Sequence, residues 1–122
     1  MSNTIFELER VSVEPLSLLA DKLISSFRNS KGFFSGAELV VNKVESLGDA
    51  EAALLIFEKL YFRNGSYSNL TVEITSYNSI QKAIVIGSGG GEGVLNISWG
   101  ANSDFARKAC EKLNELGFRE KR

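Results

Sequence analysis

A two-layer α+β fold, in which one antiparallel β meander is packed by two helices, is the architecture this sequence predicts. Three observations carry it. Between Glu51 and Tyr77, two apolar runs meet across Asn64-Gly65, and that dipeptide between alternating apolar residues is the strongest short-range hairpin signal. Two other segments, Leu16 to Phe27 and Phe105 to Leu116, carry apolar residues at helical spacing on one face only. Turn residues punctuate the rest at Leu47-Gly48-Asp49 and Tyr77-Asn78-Ser79, with no internal repeat or linker. One-faced helices beside a one-sheet meander bury each other's apolar faces, and residues 1–122 are read as a single domain.

In chain order, Ile5, Phe6, Leu8, Val11 and Val13 suggest an irregular first strand. Pro15 marks a helix start, with Glu14 at the positive end of the helix dipole. Leu16, Leu19, Ala20, Leu23, Ile24 and Phe27 form its stripe, and Asn29 to Gly32 end it. Phe33 and Phe34 follow as core closure at the open end of the sheet. Ala37 to Glu45 reads as a second strand and Glu51 to Phe62 as a third.

The fourth strand, Tyr67 to Ser76, alternates Leu70, Val72 and Ile74 with Thr71, Glu73 and Thr75, the period of a half-buried strand. A two-residue loop at Asn64-Gly65 places Phe57 opposite Val72 and puts Leu55, Phe57, Tyr61, Leu70, Val72 and Ile74 on one face. A three-residue loop would set Phe57 against Thr71 and exchange the faces. The first of these is the expectation. Ile80 to Ile86 and Val94 to Trp99 read as further strands around Gly87 to Gly93, and Asn102 or Ser103 as the cap of the last helix. Gly117 is its C-terminal cap. The resulting order is β-α-β-β-β-β-β-α, with about five to six strands in the sheet. At the level of topology it resembles the TATA-binding-protein-like and helix-grip folds.

The bulk numbers exclude more than they assign. At 122 residues, a domain buries roughly 65% of its unfolded surface and folds without metal or disulfide. One cysteine, Cys110, permits no internal disulfide, and no run is long enough to span a membrane. With no secretion signal in view, a soluble cytoplasmic protein is expected. A net charge of −1 lacks the electrostatic footprint of a nucleic-acid binder, so Arg119, Lys121 and Arg122 read as a solvated tail.

Catalytic constellations are hard to assemble. Histidine is absent, which removes the commonest general base and metal ligand. After Gly87 and Gly89, Glu92 stands where a dinucleotide fingerprint needs its third glycine, no Gly-Lys-Ser/Thr follows for a P-loop, and the next element reads as a strand. The glycine segment reads as a structural turn or as a lid. No cofactor, metal or catalytic residue is assigned. Glu58 and Glu73 could lie near each other on one sheet face, but beside Thr71 a solvated face is the preferred reading. Lys59 is a candidate desolvated lysine, with a side chain that snorkels past the sheet edge as the preferred alternative. Cys110 lies on the apolar stripe and reads as a buried hydrophobe.

Phe57-Glu58-Lys59, Tyr61 to Ser66, Gly87 to Gly93 and Ser98-Trp99-Gly100-Ala101 together resemble a family of small uncharacterised bacterial single-domain proteins. The resemblance implies a bacterial, cytoplasmic protein and supplies no activity.

Two functional readings remain. In the first, two helices cover one sheet face, and Leu54, Ile56, Leu60 and Phe62 on the other form the contact of a homodimer, a non-enzymatic interaction module. In the second, a small apolar ligand lies between the sheet and the last helix, against Phe57, Tyr61, Trp99 and Phe105. Neither reading involves nucleic acid or membrane.

Overall fold

The computed structural model describes residues 2–29, 37–61, 66–90 and 99–121, with side chains at 5–29, 37–59, 68–88 and 105–121. Eight elements follow in order: β1 Ser2–Val11, α1 Leu16–Arg28, β2 Glu38–Leu47, β3 Ala50–Tyr61, β4 Ser66–Tyr77, β5 Ile80–Gly90, α2 Trp99–Glu115 and β6 Arg119–Glu120. The strands make one six-stranded sheet in the order β2-β3-β4-β5-β1-β6, and every neighbouring pair is antiparallel. The α+β class and the antiparallel meander hold.

Helix α1 packs on β3, and α2 lies across β4, β5 and β1. Between helices and sheet sits one core. Leu55, Phe57, Leu70, Val72, Ile74 and Val85 supply its sheet side, and Leu16, Leu19, Leu23, Phe105 and Leu113 its helix side. All of α1's predicted stripe is buried, because its period of 3.6 leaves no other face to bury.

The β3–β4 register departs from expectation while the faces do not. Phe57 faces Leu70 rather than Val72, and the ladder runs from Glu51↔Ser76 to Tyr61↔Ser66. The slip is two residues, which is the period of side-chain alternation, so the same residues stay on the core face. Its cause lies at the other end of the strands. Asn78 and Ser79 have φ of 51° and 64°, the positive pair of a tight primed turn, closed by Tyr77↔Ile80. Gly48, with φ of 63°, turns β2 into β3 by Leu47↔Ala50. With those two turns level, β3 and β4, each of 12 residues, pair over their whole length. A two-residue loop at Asn64-Gly65 would leave the start of β3, Ala50 and Glu51, overhanging the end of β4.

Three other expectations are corrected. Trp99 opens α2 instead of ending a strand, which puts Asn102 and Ser103 inside the helix; the rest of the expected strand, residues 94–98, lies outside the described residues. Gly87 to Gly90 belong to β5, where they pair with β4 and β1. The C-terminal segment is no free tail: Arg119 and Glu120 pair with Glu9 and Leu8, and the Lys121 amide donates to the Glu7 carbonyl at 2.9 Å. Buried Phe118 holds it there.

Gly117 does cap α2. Its φ is 100°, the Phe118 amide donates to Leu113 and the Gly117 amide to Asn114, which is the Schellman pattern. At the start of α1 the cap is long-range. Pro15 offers no side-chain acceptor, so the Leu16 amide donates to Glu51 Oε1 at 3.1 Å. A carboxylate on β3 thereby satisfies one of the helix's orphan donors.

Candidate functional site

Side chains on the face of the sheet away from both helices fall into rows, because antiparallel register aligns alternate residues across strands. One row runs Val41, Ile56, Thr71, Ile86, Ile5, each facing the next. Apart from Thr71 it is entirely aliphatic, and Ile5 is exposed. A second apolar row lies at the turn end. Tyr77 faces Ile80, which faces Val11, and Leu47 stands on the next hairpin. Leu47, Tyr77 and Val11 are 66%, 58% and 80% exposed.

Between these rows run Lys43–Leu54–Glu73–Ile84–Glu7 and Glu45–Ala52–Thr75–Lys82–Glu9. The face is therefore banded, apolar at two levels and charged between them. Of the residues expected to form a dimer contact, Leu54 and Ile56 stand here, half-buried. Leu60 occupies an outer-face register position opposite Tyr67, and Phe62 lies outside the described residues.

The expected ligand-pocket residues are distributed differently. Phe57 and Phe105 are buried members of the core, and the Phe27 ring meets Phe57 edge-on at 4.9 Å. Tyr61 ends β3 and Trp99 begins α2; their side chains are outside the described set. Lys59 faces Ser68 on the helix side of the sheet, and burial lowers the pKa of its ammonium. Glu58 and Glu73 are not a pair. Glu58 faces Asn69, four residues from Glu73, a separation of roughly 13 Å along the strand.

One cluster went unforeseen. The Arg10 guanidinium donates to Gln81 Oε1 at 2.7 Å, to the Leu116 carbonyl at 2.6 Å and to Glu14 Oε1 at 2.9 Å, while lying 4.7 Å from the Phe118 ring centroid. Gln81, fully buried, donates onward to the Glu14 carbonyl at 2.8 Å. Lys22 pairs with the other Glu14 oxygen. Hydrogen bonds from Lys22 and then Arg10 hold the Glu14 carboxyl below its ordinary pKa. The cluster ties β1, β5, the start of α1 and the end of α2 together. Arg10 directs its donors to these partners, so its role is architectural. Alternation signalled it in the sequence, since Arg10 shares parity with Leu8, and Gln81 with Ala83 and Val85.

Cys110 is buried, and that burial, reinforced by Glu120, pushes its thiol up to about 12. A thiolate is the reactive form. Native protein at pH 8 should therefore resist a thiol reagent that labels the unfolded chain within minutes. Stopped-time mass spectrometry checks this; native labelling at the unfolded rate would contradict it.

Among the described residues, no helix is long and apolar enough to cross a membrane, and no group of three or more His, Cys, Asp or Glu is placed to hold a metal ion.

A sequence-family profile, described as a family of unknown function (DUF6054), matches residues 30–117, and the chain belongs to that family. No curated protein matches. Among solved structures, the crystal structure of Ara h 8.0201 is similar at 11% identity and TM-score 0.42, covering 93% of this chain and 94% of that one. The structure of TTHA0849 from Thermus thermophilus is similar at 13% identity and TM-score 0.30, covering 93% and 91%.

Proposed function

We propose that this member of the DUF6054 family is an interaction module whose working surface is the outer sheet face, and that the surface takes a second copy of the chain. The row Val41–Ile56–Thr71–Ile86–Ile5 carries the reading. Contiguous exposed apolar surface is uncommon on monomers and marks contact sites. The face spans five strands and about 20 Å along them, on the order of 500 Å². Two such faces reach the lower end of specific interfaces, so the contact is of micromolar strength.

A two-fold axis parallel to the strands through β4 matches the bands. It lays Ile56 on Ile86 of the partner subunit, Leu54 on the partner's Ile84, and Lys43 on the partner's Glu7. It also sets Glu73 against its own copy and Glu45 against the partner's Glu9, like-charge meetings that weaken the pair. Sedimentation equilibrium tests the reading. Ile86→Lys should abolish association through this face, and Glu73→Gln should tighten it by about tenfold, the scale of one relieved charge contact. Wild-type association that neither substitution changes would refute it.

A second reading, a small apolar ligand held between sheet and α2, draws on one observation. Gly87 leaves the sheet without a side chain beside Leu70, on the face where burial lowers the pKa of Lys59. Trp99, the single tryptophan, is the natural reporter. Saturable quenching of its fluorescence by a fatty acid would support this reading, and flat titrations with apolar ligands would dismiss it.

A further inference from the structure

The β2 strand closes one end of the sheet, so among the described residues no strand lies beside the outer side of its backbone. Edge strands usually carry a device that blocks further pairing. Here the irregularity lies between Leu39 and Val41, and residues 41–47 beyond it run regular, proline-free and largely exposed. The opposite edge differs, since β6 covers the middle of β1.

We infer that β2 pairs antiparallel with β2 of a second copy about a two-fold axis at Val44, joining two sheets into one. The pattern of β2 complements itself about that residue. Val44, partly exposed, meets its own copy on the helix side. On the outer side, Lys43 faces Glu45 of the partner subunit, and Glu45 faces the partner's Lys43, giving two opposite-charge cross-strand pairs. One step further out, Val41 faces the partner's Leu47, which covers a side chain left largely exposed in the single chain. Within one chain Lys43 and Glu45 lie 3.6 Å apart and well exposed, so both are positioned to exchange partners across the axis. A shift of two residues, the smallest that keeps the faces of both sheets aligned, would set Lys43 against its own copy or against the partner's Leu47 and lose both charge pairs.

This contact uses the strand edge and not the outer face, so it stands independently of the face-to-face contact proposed above. The edge axis is perpendicular to the sheet and the face axis lies parallel to the strands.

A charge-swap cycle read by sedimentation equilibrium at low salt, in the Ile86→Lys background, isolates the edge. That background should remain a dimer. Lys43→Glu alone and Glu45→Lys alone should each weaken it by about tenfold, by placing like charges opposite each other twice. The double swap should restore the parent affinity to within about threefold, since the pairs are re-formed in reverse. Both swapped positions are exposed, and unchanged melting temperatures confirm intact folds. A double swap no tighter than the single variants overturns the proposal. So does an Ile86→Lys protein that is monomeric throughout, which leaves the edge to a strand of some other protein. A dimer insensitive to Ile86→Lys but broken by Lys43→Glu would instead refute the face contact and keep the edge.

Discussion

Replacing Arg10 with alanine should lower the free energy of unfolding by about 3–4 kcal/mol, the cost of truncating one member of a buried charged network. The side chain is 10% exposed and links β1 to Gln81 of β5, to Glu14 at the start of α1 and to Leu116 at the end of α2. Its removal leaves the Gln81 Oε1 acceptor and the Leu116 carbonyl without a donor. It also removes the cation from the Phe118 ring. For a chain of this length the loss corresponds to a drop of roughly 12 °C in melting temperature. Arg10→Lys should recover only part of it, because one ammonium cannot reproduce the planar fork that reaches three acceptors.

The deficit should also depend on pH. Glu14 has a lowered pKa, caused first by Lys22 and then by Arg10. Its contribution is therefore complete above the ordinary carboxylate range and is lost as pH falls through the folded-state value. The gap between wild type and Arg10→Ala should narrow in acid. Thermal melts from neutral pH downward measure both effects; a neutral-pH melting temperature within about 2 °C of wild type would refute the clasp.

How far the sequence foretold this arrangement follows from which signals are periodic. Leu55, Phe57, Leu70, Val72 and Ile74 sort onto the core face by alternation alone, and alternation survives a two-residue slip. For the same reason alternation could not locate the slip: Phe57 opposite Leu70 and Phe57 opposite Val72 bury identical sets. The register was settled remotely, by Gly48 and by the Asn78-Ser79 turn, neither of which advertises itself as strongly as Asn64-Gly65. The start of α2 was hidden because Val94 to Trp99 alternates like a strand and Asn102-Ser103 resembles a cap.

The short β6 was invisible for another reason. Two charged residues have no strand pattern, and only Phe118, a lone aromatic among polar neighbours, hinted that the chain returns to the core. On the candidate surface, Leu54 and Ile56 were legible. The rows that give the face its bands were not, since they depend on which residues of five strands stand level.

Phe105→Ala should cost about 3–5 kcal/mol, the range for truncating a fully buried aromatic. The ring has no exposed surface and stands in the second turn of α2, with Ala106, Ala109, Cys110 and Leu113 in the same core. Small residues on the helix side let α2 approach β4 and β5 closely, so few neighbours have atoms to spare for the space the ring vacates. A void persists where the surroundings cannot collapse, and its lining loses dispersion contacts outright.

The same substitution separates the two roles open to this ring. If it is filled core, the alanine variant unfolds at lower denaturant concentration with an unchanged slope, and the cavity gains affinity for benzene or xenon. If it is one wall of a ligand pocket, the truncation enlarges a space that already exists. Stability then falls by less than about 1 kcal/mol, well below the core-truncation range, while the affinity for an apolar ligand changes. Equilibrium denaturation of wild type and Phe105→Ala, each with and without the small apolar probe, decides between them. A wild-type protein stabilised by the probe as much as the variant would sink the filled-core assignment, since a close-packed interior has no room to bind it.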